Sequence, residues 1–569
     1  MNRYRWDLLP PIPDLRLVHT SGLPLLIVQL LYNRGIREPA AIQHFISGDS
    51  TLTHDPFLLS GMDRAVNRIY RALLSGENIV IYGDFDADGI TATALLVEGL
   101  TALGGKATPY IPHRQNEGHG LSLTTLKTLR QQGASLVITV DTGITNVTEV
   151  AKAKRLGMDI IITDHHVPLE EIPDAAAVID PKLADSGYPF RELSGAGVAF
   201  KLLQALLQTL GRPELADRAL DLVAIGTIAD LSPLVAENRY LVIEGLKRLN
   251  RHPRPGLLEL VQQAGLKDAS LNADKVSWTI APCLNASGRL ADATGGYRLL
   301  LAASPGEARE MAAWLLEMNT ERQQMTAAAF AAAREQVLAK GIGPLLIASN
   351  DAFHLGISGL VASRLSEEFY RPSVVISTGK KVCHASCRSI PEFNIITALN
   401  ECRELLTQYG GHAQAAGFST ATGNLPQLEE RLTAIATESL AEMELRPHIE
   451  IDAQVRLSEI GGGTFPLTQQ LAPFGRANPA PTFLSRDVPV TACRTMGNGA
   501  DHLRFRFQQD GAAWDGVAFR RGDSFPRISD RLDIVYQIEV DSWGGSERLR
   551  LCLLDFANSG QAVPAATVN

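Results

Sequence analysis

The chain has 569 residues, 45% hydrophobic and 20% charged, which at roughly 100–200 residues per domain predicts about three to five domains, each able to bury its own core. Forty-eight glycines and 30 prolines without a repeat exclude collagen-like and disordered compositions. A formal net charge of −9, from 53 Lys plus Arg against 62 Asp plus Glu, excludes a polycation that coats nucleic acid indiscriminately, but leaves room for a local basic groove beside a carboxylate-rich site.

In chain order, residues 1–75 read as a helical support region ending in an amphipathic helix over 62–74. Short apolar runs at 78–82, 107–111, 136–140, 159–163 and 176–179 then alternate with helical patterns at 91–103, 121–132 and 146–156. Strands buried on both faces and separated by helices predict an α/β domain with a parallel sheet over 76–250. Residues 251–343 read as a helical extension with a long connecting helix, and 344–445 as a smaller α/β domain with apolar runs at 345–348 and 373–376 and a helix over 426–443. From 446 to 558 the pieces shorten to strands at 503–508, 514–519, 532–538 and 549–555, which predicts a small β-barrel, and 559–569 reads as a frayed tail. No run of about 18 charge-free apolar residues occurs and residues 1–15 lack the apolar core of a signal peptide, so the expected location is the cytoplasm, without a membrane anchor. The six cysteines contain no Cys-x-x-Cys pair, which argues against both a disulfide framework and a cysteine zinc site.

The chemistry concentrates at strand ends. Asp84-Phe-Asp-Ala-Asp-Gly89 follows the first strand and opens into a helix, so Asp84, Asp86 and Asp88 converge on the carboxyl edge of the sheet, where open α/β sheets place their sites. Asp141-Thr-Gly143 and Asp164-His165-His166 follow two further strands, and Asp230 follows an apolar helical run. Any one of these acids could be a helix cap, but the set, unpaired, would repel itself, and it forms a good shell for two hard divalent ions such as Mn²⁺ or Mg²⁺. Gly410-Gly411-His412 is a glycine-rich turn that lets backbone approach an anion beneath an imidazole. Ser386-Cys387-Arg388 offers a hydroxyl and a guanidinium suited to phosphate. Asn285-Ala-Ser-Gly-Arg289 is similar, with Arg289 placed to close over a phosphate at the metals.

Together these residues resemble the DHH phosphoesterase superfamily, and within it the RecJ-type single-strand-specific exonucleases of bacteria. The metal motifs match at Asp84 to Gly89, Asp141 to Gly143, Asp164 to His166 and Asp230, and the accessory DHHA1 signature at Gly410 to His412 with Ala415 to Phe418. RecJ-type segments recur at 282–289, 356–365 and 473–479, so the resemblance spans nearly the whole chain. It implies a DHH domain and a DHHA1 domain joined by a long helix around a passage for single-stranded DNA, with an OB-type barrel gripping the strand. Asp84, Asp86 and Asp141 would hold one metal, and Asp88, Asp141, His165 and Asp230 the other, with Asp141 bridging. His166 would touch the scissile phosphate, and Asn285, Arg289, Ser386, Arg388, Gly411 and His412 would bind phosphates along the strand. One departure stands out, Ala-Ser-Cys at 385–387 where the family has a Gly-Ser-Ala type of run.

The implied reaction is processive 5′-to-3′ hydrolysis of single-stranded DNA to 5′-mononucleotides in repair and recombination, by two-metal chemistry without a protein nucleophile. The direction rests on the resemblance alone. Arg504 and Arg506 alternate with Phe505 and Phe507 along one barrel strand, which would set charge on one face and aromatics on the other for a polymeric substrate, or equally make an ordinary half-buried strand with a solvated face. Two alternatives differ in class: a DHH-type oligoribonuclease or cyclic-dinucleotide phosphodiesterase, and a catalytically silent single-strand-binding subunit. A single-strand-binding protein and a helicase are the implied partners of a monomer.

Overall fold

The computed structural model describes residues 3–114, 116–266, 270–461, 463–497, 499–541, 547–560 and 566–567. It divides into two compact units, Leu52–Leu445 and a second made of Met1–Thr51 with Arg446–Asn569.

The larger unit carries a five-stranded, all-parallel sheet of β1 (Asn78–Tyr82), β2 (Lys106–Tyr110), β3 (Ala134–Val140), β4 (Asp159–Thr163) and β5 (Ala177–Ile179), in the order β2-β1-β3-β4-β5. The near-continuous Val/Ile runs reflect burial on both faces: Ile79, Ile81, Leu136 and Ile138 enter one core, and their neighbours Val80, Tyr82, Val137, Ile160 and Ile162 the other. The predicted helix over 91–103 is α1 (Ala87–Ala102); it starts earlier because the Asp86 side chain caps it, accepting the N–H groups of Asp88 and Gly89. Helices α2 (Gly195–Thr209) and α3 (Leu220–Ala229) pack beside α1. A further helical run ends in α4 (Ala281–Leu290), and the long connecting helix is α5 (Pro305–Lys340), capped by Ser304. The first part of α5 packs Met311, Ala312 and Leu315 into the core of the parallel sheet. Its last turns pack Ala333 and Val337 against Leu346 and Ala348 of the next domain.

That domain is a mixed sheet of β6 (Leu346–Asn350), β7 (Ser373–Ser377), β8 (Val382–Arg388), β9 (Gln408–His412) and β10 (Ala415–Ala421), in the order β9-β10-β8-β7-β6. Gly410 to His412, expected as a tight turn, is strand: β9 and β10 form a hairpin in which Gly411 pairs with Ala416. Two small residues in an edge strand carry little periodicity, which concealed it.

The smaller unit is a closed five-stranded barrel of β11 (Phe483–Met496), β12 (His502–Gln509), β13 (Ala512–Ala518), β14 (Arg531–Asp541) and β15 (Arg548–Asn558), mostly antiparallel but with β13 and β15 parallel. It closes because β11 pairs with β14 through its first half and with β12 through its second. Residues 1–75 are not a uniform helical region. Arg5–Leu8 is a strand pairing in parallel with His448–Ile451 and with Ala566–Thr567, and the indole of Trp6 donates to Asp555 at 3.0 Å. Part of the segment read as a frayed tail is therefore paired; 561–565 and 568–569 lie outside the described residues.

Candidate metal centre

The parallel sheet delivers its carboxylates at one edge. Asp84 follows β1 by two residues, Asp141 caps the end of β3, Asp164, His165 and His166 follow β4, and Asp230 ends α3. Ligand atoms of Asp84, Asp86 and Asp141 lie within 4.8 Å of one another, as do those of Asp88, His165 and Asp230, and those of Asp141, His165 and His166. His165 Nε2 stands 3.0 Å from Asp141 and 3.9 Å from Asp88. All seven residues singled out as the carboxylate–histidine set thus meet.

Local backbone holds them there. Asp141 sits at φ 60, a left-handed conformation that costs a non-glycine residue free energy and recurs at functional sites. Gly195 leaves it room, since a Cβ there would approach the Asp141 Cβ to 2.5 Å. Both oxygens of Asp88 accept backbone N–H groups, from Gly195 at 2.7 Å and Ala196 at 2.9 Å, at the start of α2, where the helix dipole favours negative charge. Gly226 of α3 backs the same carboxylate, and a Cβ there would meet its Oδ1 at 2.5 Å.

Burial raises Asp88 well above the ordinary carboxylate value, with Asp230 and Asp86 adding like charge. Burial does the same to Asp141, reinforced by Asp88, Asp86 and Asp84, and it raises Asp84 against the opposing His119, 3.2 Å away. His165 is lowered, chiefly by burial, with Asp230 opposing. Asp84 Oδ1 is buried without a hydrogen-bond partner among the described residues, and Asp141 Oδ1 and His165 Nε2, although 3.0 Å apart, form no hydrogen bond with each other or with any other described group. Buried polar atoms need partners, and oxygen and imidazole donors converging in this way fit hard divalent cations.

Asp164, the first residue of its motif, is not placed as a ligand. Its carboxylate accepts the N–H groups of Ile144, His165 and His166 and bonds His166 Nδ1 at 2.7 Å. Burial would raise it, but these hydrogen bonds and the His166 charge hold it low. Burial also opposes the charge on His166, yet Asp164 outweighs it and pushes His166 up to about 9.

On α4, Asn285 accepts the Ala87 N–H at 2.8 Å, joining this helix to the carboxylate loop. Arg289 donates to the Gly356 carbonyl at 3.0 Å. It is pushed down to about 10 by burial and by Arg114 and Arg322, with Asp86 opposing and Arg388 adding, so these arginines crowd one region beside Asp86. Arg114, stacked over Phe85 at 4.8 Å, and Arg322 went unanticipated; Arg114 follows the end of β2, the same strand-end signal that marked the acids. Ser386 and Arg388 lie on one face of β8 while Cys387 points into the core between Val374 and Ala416, which absorbs the Ala-Ser-Cys departure in packing. Gly411 and His412 lie on β9, with no hydrogen bond or ion pair to the carboxylates among the described residues.

In the barrel, Phe505 and Phe507 are buried and stacked on each other at 5.2 Å, so the expected aromatic face is core and offers no platform to bases. Arg504 and Arg506 are exposed and share Asp515 at 3.6 and 2.8 Å.

Fold and site define an α/β protein with a carboxylate–imidazole centre for divalent ions at the carboxyl edge of a parallel sheet. The family models for the DHH family N-terminal domain, the DHHA1 domain and the RecJ OB domain match residues 78–227, 342–438 and 451–555. The single-stranded-DNA-specific exonuclease RecJ of Bacillus subtilis is 37% identical over 565 residues, covering 98% of this chain and 71% of the relative. The Escherichia coli RecJ is 32% identical over 566 residues, 94% of this chain and 96% of its own. The crystal structure of Thermus thermophilus RecJ with Mn²⁺ superimposes with a TM-score of 0.84 at 30% identity, covering 98% of this chain and 81% of that one; its Mg²⁺ complex gives 0.78 at 28%, covering 98% and 80%. The chain belongs to the RecJ family.

Proposed function

We propose that this chain is a divalent-metal-dependent exonuclease of single-stranded DNA, and that hydrolysis takes place at the carboxylate–imidazole centre. The observation that carries the reading is the convergence of Asp84, Asp86, Asp88, Asp141, His165, His166 and Asp230 with buried, unsatisfied ligand atoms. Two bound Mn²⁺ or Mg²⁺ ions supply Lewis acidity and a template for in-line attack of water on the phosphodiester. Asp84, Asp86 and Asp141 would hold one ion and Asp88, Asp141, His165 and Asp230 the other. His166, kept protonated near neutral pH by Asp164, offers a cationic donor to the scissile phosphate. Half-buried Arg289, with Arg388, Asn285, Ser386, Gly411 and His412, would hold phosphates along the strand, and Arg504 and Arg506 would add charge from the barrel.

The finer reading is processive 5′-to-3′ release of 5′-mononucleotides, which family membership supports. It acts in DNA repair and recombination, as a monomer in the cytoplasm, with a single-strand-binding protein and a helicase as partners. Six free cysteines suit a reducing compartment, and no helix among the described residues is long and apolar enough to cross a membrane.

Denaturing-gel analysis of 5′- and 3′-labelled single strands, a blunt duplex and a dinucleotide, with Mn²⁺ or Mg²⁺, tests this. Immediate mononucleotide from the 5′ label, a descending ladder from the 3′ label and an intact duplex are expected, all lost in Asp141→Ala. Cleavage of the dinucleotide alone would indicate a small phosphodiesterase, and binding without cleavage a silent subunit.

A further inference from the structure

Trp278 is 80% exposed, the most exposed of the large apolar side chains among the described residues, whereas Trp6 and Trp514 are buried and Trp314 packs against the core. The indole offers an aromatic face of base size open to solvent. The local backbone is also unusual. Helix runs unbroken from Ala273 to Leu290, but Val276–Ile280 within it is a π turn. Pro282 explains it: a proline has no N–H to offer the carbonyl four residues earlier, that of Trp278, so the helix widens there.

Downstream on the same helix stand Asn285, bonded to the carboxylate loop, and Arg289, close enough to feel the charge of Asp86. They follow Trp278 by seven and eleven residues, close to two and three turns of regular helix, and the π turn that contains Trp278 rotates it by part of a residue step, to within about a quarter turn of the other two. Along the axis Trp278 stands roughly 10 Å from Asn285 and 16 Å from Arg289. The helix therefore carries, in succession along its length, a solvent-facing indole, a contact to the metal loop and a phosphate-type guanidinium.

We propose that Trp278 is a stacking platform for one unpaired base of the bound strand, displaced along it from the scissile phosphate. This rests on the exonuclease reading and deepens it into a source of strand selectivity. An unpaired base can turn a π face to the indole, while a base inside a duplex has both faces covered by its neighbours.

Two measurements test it on the full-length protein: binding of a labelled oligodeoxythymidine in chelator, and Mn²⁺-dependent degradation of strands carrying one abasic site at successive positions. Trp278→Ala should weaken binding and raise KM by roughly 5- to 100-fold with a much smaller effect on kcat. Trp278→Phe should recover most of the loss and Trp278→Leu should not. An abasic site at one particular position should weaken the native protein while adding nothing to Trp278→Ala. Equal affinity and KM in the native and Trp278→Ala proteins, or equal performance of the Phe and Leu variants, would overturn the proposal. Should the native protein bind the strand but release no nucleotide, the exonuclease reading fails, and the binding series still decides the role of Trp278.

Discussion

Asp164 holds four donors at once, and in doing so it fixes both histidines of its motif without facing the metal positions itself. A carboxylate of this kind orients the imidazoles and sets the charge on His166. Asp164→Asn should therefore lower metal affinity or turnover about 10- to 100-fold with the fold intact, measured by Mn²⁺ titration and circular dichroism together. The ligands make a second prediction. Asp88 and Asp141 have folded values raised above the ordinary 3.8, so above that pH the folded state retains protons that the unfolded state has released. Their contribution to stability thus falls as pH rises through the raised values, and a bound cation removes the repulsion. The Tm increment from Mn²⁺ over chelator should grow as pH rises above the ordinary carboxylate value; an increment that shrinks as pH rises contradicts this. The acids were legible because each stands at the end of a buried strand. Asp164 as a positioning group was not, since a strand-end aspartate reads the same whether its oxygens face an ion or backbone N–H groups.

At the scale of elements, close helix approach builds the centre. Gly226 lets α3 lie against Asp88 and α2, where a Cβ would also meet the Ala196 Cβ at 2.7 Å. Gly226→Ala should cost about 1–3 kcal/mol by overpacking and also lower activity, because Asp88 Oδ1 must move; urea melts and nuclease assays on the same preparation check both. The parallel strands were readable to within two residues from their Val/Ile runs. The first barrel strand β11 was not, because Arg486, Asp487 and Pro489 interrupt its pattern and it bends to serve two neighbours. The β9–β10 hairpin was hidden by its glycines, and the alternation along β12 left a binding face and an ordinary half-buried strand equally open, because alternation shows which residues share a side but not which side is core.

Across the whole molecule, the larger unit is pinned internally by a fully buried ion pair, Lys201 to Glu237 at 2.6 Å. Lys201 also donates to the His54 carbonyl, and Tyr188 donates to the other Glu237 oxygen at 2.5 Å. Lys201→Met leaves Glu237 buried without its cation and should cost about 3–5 kcal/mol; the double variant with Glu237→Leu should recover much of it in a thermal-melt cycle. The split of the first 75 residues between two units was beyond the sequence, because Arg5–Leu8 pairs with a strand more than 400 positions away and pattern alone does not report distant partners. The most direct measurement of the central claim is nucleotide release from a single strand during titration of Mn²⁺ into chelator-treated protein, with bound metal counted in parallel. Release that is absent without metal, rises with occupancy of two ions per chain and disappears in Asp141→Asn is the predicted result. Release without metal, or undiminished in Asp141→Asn, would contradict it.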